Sequence, residues 1–231
     1  MNRLPLAVRV VIIAILGIAF AGSVLSSIAV TRKLRGKGDA CSWRRTLLYG
    51  FDTLLFSAHE ARTSWSLKVK ETDSKLNLQR FSTAGRDFWI QRAGAQKDGH
   101  MLLQYLLSEQ AWMASVNGGD HVQPGDVVLD CGAHVGVFTD LALRRGASRV
   151  VAIEPDPMNL ECLRRNFAPE IAAGRVILAP LGVWSDERTI TLYTGKENSG
   201  MNSMIWNQKA GWVEVRVTTI DRLVRELHLP R

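Results

Sequence analysis

The chain has 231 residues, of which 46% are hydrophobic and 22% charged, a composition that supports a buried core and excludes a disordered protein. Its formal net charge of +7 would favour nucleic-acid binding if the excess lay on a folded domain. The whole excess instead lies in residues 1–45, which carry eight basic residues and one acidic residue, so no nucleic-acid partner is predicted.

Near the N-terminus, residues 10–31 carry no charge and are enough to cross a hydrocarbon core of about 30 Å as a helix. Four basic residues follow within residues 32–37, whereas Arg3, Arg9 and the α-amino group precede the segment. The excess of positive charge on the C-terminal side predicts a cytoplasmic location for the rest of the chain. We therefore expect residues 1–35 to be a single-pass membrane anchor.

A cleaved signal peptide that exports the chain is the alternative to an anchor. Ala19-Phe20-Ala21 resembles a cleavage site, and basic residues precede the apolar run. The apolar character continues past that site to Val30, however, and this continuation favours the anchor.

Residues 36–120 are predicted to form an α+β lead-in whose function the sequence does not disclose. Hydrophobic periodicity predicts a helix, three short strands and a second helix. These elements are residues 43–59, then 66–70, 76–81 and 88–91, and finally 101–116. The cysteines at positions 41, 131 and 162 form no metal-ligand pattern, so we predict no metal site and expect Cys131 and Cys162 to be small buried residues.

Two consecutive strand–turn–helix patterns begin the next region, residues 121–231. In the first, the apolar strand Val127–Leu129 leads into Asp130, a glycine-bearing turn and a helix to residue 145. In the second, a strand over residues 149–153 leads into Glu154 and a helix over residues 158–167. Neighbouring parallel strands end at the same edge of a sheet, so Asp130 and Glu154 are predicted to face one ligand cleft.

The first turn has the pattern D-x-G-x-x-x-G and indicates which ligand fits. Gly132 and Gly136 are expected to let the backbone pass close under a ligand, and Glu154 can accept the hydroxyl protons of a ribose. A nicotinamide dinucleotide site normally carries G-x-G-x-x-G, whose close turn admits a pyrophosphate. Asp130 would repel a pyrophosphate and suits a cofactor with a cationic amino group and a sulfonium, so a nicotinamide-dependent oxidoreductase is disfavoured.

The C-terminal part predicts a third strand over residues 176–183 and an antiparallel pair, residues 189–194 and 213–217. A polar loop, residues 198–203, lies between the two members of this pair. Such a loop either covers an acceptor substrate or is an ordinary polar turn, and the sequence leaves both interpretations open.

Four segments in chain order resemble the FkbM-type methyltransferases: VVLDCGAHVGVFTDLAL, VVAIEPDPMNLECLRRNF, VILAPLGVWSDERTITLY and VRVTTIDRL. The resemblance covers residues 99–231 and is strongest over residues 127–167. It implies a Rossmann-like class I methyltransferase fold, S-adenosylmethionine as cofactor, and methyl transfer to a hydroxyl of a sugar, glycolipid or polyketide. By position it implies that the cofactor is bound by Asp130, Gly132, Ala133, His134, Gly136, Glu154 and Asp156.

Two positions depart from the family pattern, since Cys131 stands where an aliphatic residue is common and His134 where asparagine is common. The family continues beyond residue 231 into a strand with the motif D-x-E-G, so weak or absent catalysis is expected of this chain alone. No residue is predicted to be the general base. The second hypothesis is therefore a non-catalytic remnant or interaction module at a membrane.

Overall fold

The structure is a computed structural model that describes residues 6–36, 43, 46–47, 53–54, 56, 67–83, 85–92, 99–116, 122–195, 199–207 and 211–229. Its chain divides into two compact units, Met1–Arg62 and Thr63–Arg231, which we describe separately.

The first unit contains helix α1, Leu6–Leu34. The hydroxyls of Ser23, Ser27 and Thr31 each donate to the carbonyl four residues earlier at 2.8 Å, so these polar side chains are satisfied within the helix. Among the residues that the structure describes, no helix combines the length and the apolar character needed to cross a bilayer, and the predicted transmembrane helix is without support. The predicted helix 43–59 lies mostly outside the described residues.

The second unit begins with an antiparallel meander of three strands, β1 (Lys68–Asp73), β2 (Leu78–Ser82) and β3 (Phe88–Gln91), followed by helix α2 (His100–Val116). The bounds of β3 match the prediction, whereas β1 and β2 begin two residues later than predicted. The turn between the two strands accounts for the later start of β2, because Asp73 accepts hydrogen bonds from the backbone N–H groups of Lys75 and Leu76.

A parallel sheet of order β4-β5-β6 forms the centre of the unit, with β4 at Val127–Cys131, β5 at Arg149–Ile153 and β6 at Val176–Ala179. Three helices connect these strands: α3 (Val137–Arg144), α4 (Pro157–Asn166) and α5 (Ala168–Ala172). Strand, helix and strand alternate as predicted, and the α/β, Rossmann-like fold class is confirmed.

Buried side chains cover both faces of this sheet. Val150 and Ala152 of β5 belong to a cluster shared with the meander and α4, whereas Val151 and Ile153 belong to a second cluster with Leu223. Successive strand residues point to opposite faces, so β5 is apolar on both sides, as expected of a buried parallel strand.

The predicted third strand, residues 176–183, is divided in the structure. Strand β6 ends at Ala179, and β7, Gly182–Val183, pairs with a different sheet. Pro180 lies at the break, where its missing N–H cannot continue a ladder. This part of the prediction was therefore wrong.

The second sheet has the order β7-β9-β8, with β8 at Arg188–Tyr193 and β9 at Trp212–Thr218. The antiparallel pairing of β8 with β9 confirms the predicted pair, in a register that runs from Arg188–Val217 to Tyr193–Trp212. Helix α6, Ile220–Glu226, follows β9, and the Thr219 hydroxyl caps it by accepting from the backbone N–H of Arg222 at 3.2 Å.

Cys131 was predicted to be buried and is exposed, whereas Cys162 is buried as predicted. Cys131 is the last residue of β4, which lies at the end of the described sheet order. Cys131 shares its face of the strand with Leu129, which packs against the second cluster, so the exposure of Cys131 follows from its position at the carboxyl end of β4.

Candidate cofactor site at two strand tips

The ends of β4 and β5 are joined by hydrogen bonds of the loop that follows β4. Cys131 is in register with Ile153, and the carbonyl of Ile153 accepts from the N–H groups of Gly132 and Ala133 at 2.9 and 3.0 Å. The loop is therefore folded against the tip of the neighbouring strand, close to Glu154. This arrangement brings the two predicted strand tips together.

Asp130 is the buried acid of the site, with 6% of its surface exposed. Its Oδ2 accepts a hydrogen bond from the hydroxyl of Thr139, in the first turn of α3, at 2.5 Å. Burial raises the pKa of Asp130 to about 6, although its bonds with Thr139 act in the opposite direction. Thr139 was not predicted as a site residue, because no motif links positions nine residues apart.

The two glycines of the turn both have positive φ but serve different purposes. At Gly132, φ is +81° and an added Cβ would meet no atom within 4 Å, so open space lies beside this residue. At Gly136, φ is +92° and a Cβ would lie 2.9 Å from Leu163 and collide with the ring of Phe167. Gly136 is thus required for packing against α4, a reason that differs from the predicted close approach to a ligand.

His134 also adopts a left-handed conformation, with φ of +53°. Asparagine, aspartate and histidine adopt this conformation more readily than other non-glycine residues, which explains why histidine can replace the asparagine common in the family. The backbone N–H of His134 donates to Oε2 of Glu154 at 2.8 Å. The predicted departure at this position therefore leaves the backbone of the turn intact.

Glu154 is buried and braces the turn. Besides the bond from His134, its Oε1 accepts from the N–H of Asp156 at 2.9 Å and from the side-chain amide of Asn159 at 3.4 Å. Burial raises the pKa of Glu154 above its ordinary value, and these hydrogen bonds oppose that rise. A carboxylate has about four acceptor positions, so about one is left for a ribose hydroxyl.

Asp156 caps helix α4. Its Oδ1 accepts from the backbone N–H groups of Met158 and Asn159 at 2.8 and 2.9 Å, and Oδ2 accepts from the side-chain amide of Asn202 at 2.9 Å. These contacts give Asp156 a structural role at the site. Direct binding of a cofactor by Asp156 stays a prediction.

Ser199 and Asn202, which were not predicted as site residues, also reach the strand tips. The Ser199 hydroxyl forms a hydrogen bond with Nε2 of His134 at 2.7 Å. The side-chain amide of Asn202 donates to Asp156, as described above. Both residues belong to the polar loop singled out in the sequence. The position of this loop could not be predicted, because in each contact the two partners are far apart along the chain.

Comparisons with known proteins find relatives of this part of the chain. Residues 130–230 match the family model described as the methyltransferase FkbM domain. The 31-O-demethyl-FK506 methyltransferase FkbM of Streptomyces tacrolimicus is 37% identical over 76 residues, which are 32% of this chain and 29% of that protein. The chain thus spans less than a third of the length of this curated relative.

Two solved methyltransferase structures also resemble the chain. The FkbM methyltransferase of Methylobacillus flagellatus is 14% identical, with a TM-score of 0.29 over 75% of this chain and 38% of that one. TYW2 of M. jannaschii in complex with AdoMet is 25% identical, with a TM-score of 0.34 over 49% of each chain. The similarity to the family depends on the family model and the curated relative, and not on these two structures. Residues 130–230 are thus similar in sequence to the methyltransferase FkbM domain.

Proposed function

We propose that this domain binds S-adenosylmethionine at the tips of β4 and β5 and transfers the methyl group to a hydroxyl oxygen. The observation that carries the proposal is the buried carboxylate of Asp130 beside a turn that leaves open space at Gly132. When bound, the cofactor supplies an electrophilic methyl group on a sulfonium. The protein's part is to bind and orient, because an in-line displacement depends mainly on positioning.

The residues of the site fit this cofactor. Thr139 provides the hydrogen bonds to Asp130, and a carboxylate with about four acceptor positions has room for an ammonium group as well. A charged hydrogen bond of this kind is shorter and stronger than a neutral one. The same negative charge disfavours the pyrophosphate of a nicotinamide dinucleotide.

The acceptor is proposed to be a hydroxyl of a sugar, glycolipid or polyketide-like molecule. The name of the S. tacrolimicus relative describes methyl transfer to an oxygen of FK506, and this supports an oxygen acceptor here. A small-molecule or lipid-linked acceptor rather than nucleic acid stays a prediction from the location of the basic residues in the sequence.

Calorimetry with S-adenosylmethionine tests the cofactor proposal on the full chain. Asp130→Asn keeps the shape and removes the charge, so it should weaken binding by about tenfold or more. Asp126→Asn is the matched control, because Asp126 lies in the turn before β4 and its carboxylate accepts from the backbone N–H of Gln123. Absence of binding by the wild type, or equal affinity of the Asp130 variant, would overturn the proposal.

Transfer of a labelled methyl group tests the catalytic part. If the wild type binds the cofactor and labels hydroxyl-bearing lipids or glycans, with loss of labelling in Asp130→Asn, the chain is an enzyme. Binding without transfer to any such acceptor would favour the non-catalytic interaction module.

We also propose that α1 holds the chain at a lipid surface, with the methyltransferase domain on the cytoplasmic side. Residues 10–31 are uncharged in the sequence and flanked by basic residues that attract anionic lipids. Large apolar side chains are exposed along the described part of the helix: Leu16, Ile18, Phe20 and Ile28.

Fractionation of cells that express the full chain, compared with a variant lacking residues 1–36, tests this placement. The full chain should sediment with membranes, the variant should not, and protease added outside intact cells should leave the domain uncut. Recovery of the full chain in the soluble fraction would contradict the proposal. A mature N-terminus after Ala21 would replace it with the cleaved signal peptide.

A further inference from the structure

The segment from Ser199 to Ser203 crosses from the second sheet to the strand tips. Its first part is a single 3-10 turn, Ser199–Met201. Its end is fixed to β8, because Ser203 and Tyr193 exchange backbone hydrogen bonds at 2.8 and 2.9 Å. The C-terminal end of the segment is therefore held to the second sheet.

Two side chains of the segment point to the site, and each contacts the loop after a different strand. Ser199, which is buried, pairs with His134 of the loop after β4 at 2.7 Å. Asn202 donates to Asp156 of the loop after β5 at 2.9 Å. The segment is thus bound to both of the strand tips that form the proposed cofactor site.

Large apolar side chains are exposed within this segment and directly after it. Met201, Ile205 and Trp206 are 37%, 82% and 63% exposed. An ordinary polar turn would place its polar side chains in water and its apolar side chains in the core. The observed arrangement is the reverse, and it favours the first of the two interpretations that the sequence left open for this loop.

The imidazole of His134 has one nitrogen that remains to be paired. Nε2 contacts Ser199, whereas Nδ1 is buried and has no hydrogen-bond partner among the described residues. Burial lowers the pKa of His134 to about 4, so the ring is neutral near pH 7 and offers one donor and one acceptor. A polar group of a ligand under the segment would satisfy the unpaired nitrogen.

We propose that residues 199–202 form a cover over the cofactor site, held closed by the pairs Ser199–His134 and Asn202–Asp156. This inference rests on the proposed function, because it assigns Ser199 and Asn202 as positioning residues of that same site. A cover tied to both strand tips must release at least one of these pairs before the cofactor can leave. Its main effect is therefore on the rate of cofactor dissociation.

The test compares the rates at which labelled S-adenosylmethionine dissociates from the full-length wild type, from four single variants and from one double variant. Asn202→Asp retains the Oδ1 that accepts from the Gly195 N–H at 2.9 Å, but it places a second carboxylate against Asp156. We expect dissociation to be about tenfold faster in this variant. Ser199→Ala should accelerate dissociation about threefold or more, because it removes one hydrogen bond.

Ser203→Ala is the matched control for Ser199→Ala. The Ser203 hydroxyl accepts from the backbone N–H groups of Ile205 and Trp206, directly after the segment, and has no recorded bond to the strand tips. Its dissociation rate should stay within about twofold of the wild type. In His134→Asn, asparagine tolerates the left-handed backbone, but its shorter side chain cannot reach Ser199. Because this substitution and Ser199→Ala remove the same contact, their effects on the dissociation rate should not add in the double variant.

Hydrogen exchange at residues 199–203 gives a second readout that a loss of global stability would not reproduce. Cofactor should slow exchange there in the wild type and in Ser203→Ala, and much less in Asn202→Asp. If the wild type binds S-adenosylmethionine while Asn202→Asp and Ser199→Ala release it at the wild-type rate, the cover is overturned. If the wild type does not bind at all, the proposed function itself fails.

Discussion

The carboxyl group of Asp130 makes the stability of this domain depend on pH. Its ordinary pKa of 3.8 is raised by burial to about 6 in the folded chain, so folding takes up a proton between these values. The stability from this group is fully present below pH 3.8 and is lost as pH rises through about 6. By linkage, the loss is at most about 3 kcal/mol.

Asp130→Asn should remove this contribution. The free energy of unfolding of the wild type should therefore fall relative to that of the variant between pH 4 and about pH 6, and the difference should be constant above pH 6. Urea unfolding at several pH values measures this difference. Asp126→Asn serves as the control at an exposed aspartate. A difference between the Asp130 variant and wild type that does not change with pH would show that this carboxyl titrates normally.

The two turn glycines provide a second prediction at this scale. Gly132→Ala introduces only the strain of a left-handed alanine, which costs about 1–2 kcal/mol. Gly136→Ala adds a collision with Phe167, so its total cost should be about 2–5 kcal/mol. Thermal unfolding ranks the two variants, and calorimetry should show that Gly132→Ala weakens cofactor binding more than its small loss of stability suggests. Equal destabilisation by the two would contradict the assigned roles.

Sequence reasoning identified the acids of the site and missed their partners. Asp130 and Glu154 follow apolar strands directly, so local patterns place them at strand tips. Ser199 and Asn202 reach the same tips across 65 and 46 residues of chain, and no local pattern encodes such a contact. The exposure of Cys131 was missed because the burial of the last residue of a strand depends on what packs at that end of the sheet, which the strand sequence does not show.

At the scale of elements, Arg86 joins the meander to the helices of the parallel sheet. Its guanidinium donates to Asp140 at 2.9 Å, to the carbonyl of Asn166 at 2.5 Å and to Glu170, and it lies 4.5 Å from the centre of the Phe167 ring. Its side chain is 21% exposed. A cation that links several partners from a largely buried position is difficult to replace.

Arg86→Met keeps an apolar stem over Phe167 and removes the charge, so that Glu170 and the Asn166 carbonyl lose this donor while Asp140 keeps its pair with Arg144. We expect a loss of about 2–4 kcal/mol in the free energy of unfolding. Lys70→Met is the control: the Lys70–Asp87 pair is 46% and 31% exposed and should contribute less than about 1 kcal/mol. Urea unfolding of both variants measures the contrast, and a similar effect of both would contradict a central role for Arg86.

Most of the predicted elements agree with the structure, whereas the prediction for residues 176–183 does not. Strands β3 and β5 and the antiparallel pair β8–β9 follow from alternation and apolar runs. The predicted continuous third strand was wrong. Residues 176–183 are apolar throughout, Pro180 included, and hydropathy does not show that proline lacks a backbone N–H donor. Pro180 is the residue that should have indicated the break.

At the scale of the molecule, the described contacts of the cofactor site all lie within the unit Thr63–Arg231. The meander is part of that unit, because the side chain of Asn166 both accepts from the backbone N–H of Trp89 and donates to its carbonyl, at 2.7 and 3.1 Å. The sequence had placed this region in a lead-in of unknown purpose. The hydrogen bonds between the meander and α4 are made by the side chain of Asn166, and the sequence composition does not reveal such pairing.

We therefore predict that a chain lacking residues 1–62 keeps its fold and binds S-adenosylmethionine with an affinity within about twofold of the full chain. Circular dichroism and calorimetry on the shortened chain provide the measurement. A folded but non-binding product would show that the N-terminal unit contributes to the site. An unfolded product would show that the second unit is not autonomous.

The pairing of β8 with β9 ends at Tyr193 and Trp212, and the segment over the strand tips is part of the connection between them. The acids and the turn glycines of the proposed cofactor site belong to other parts of the chain. If residues 199–202 cover the site as proposed, substitutions in this connection should change how fast the cofactor is released, while Asp130 and Glu154 stay in place at the strand tips.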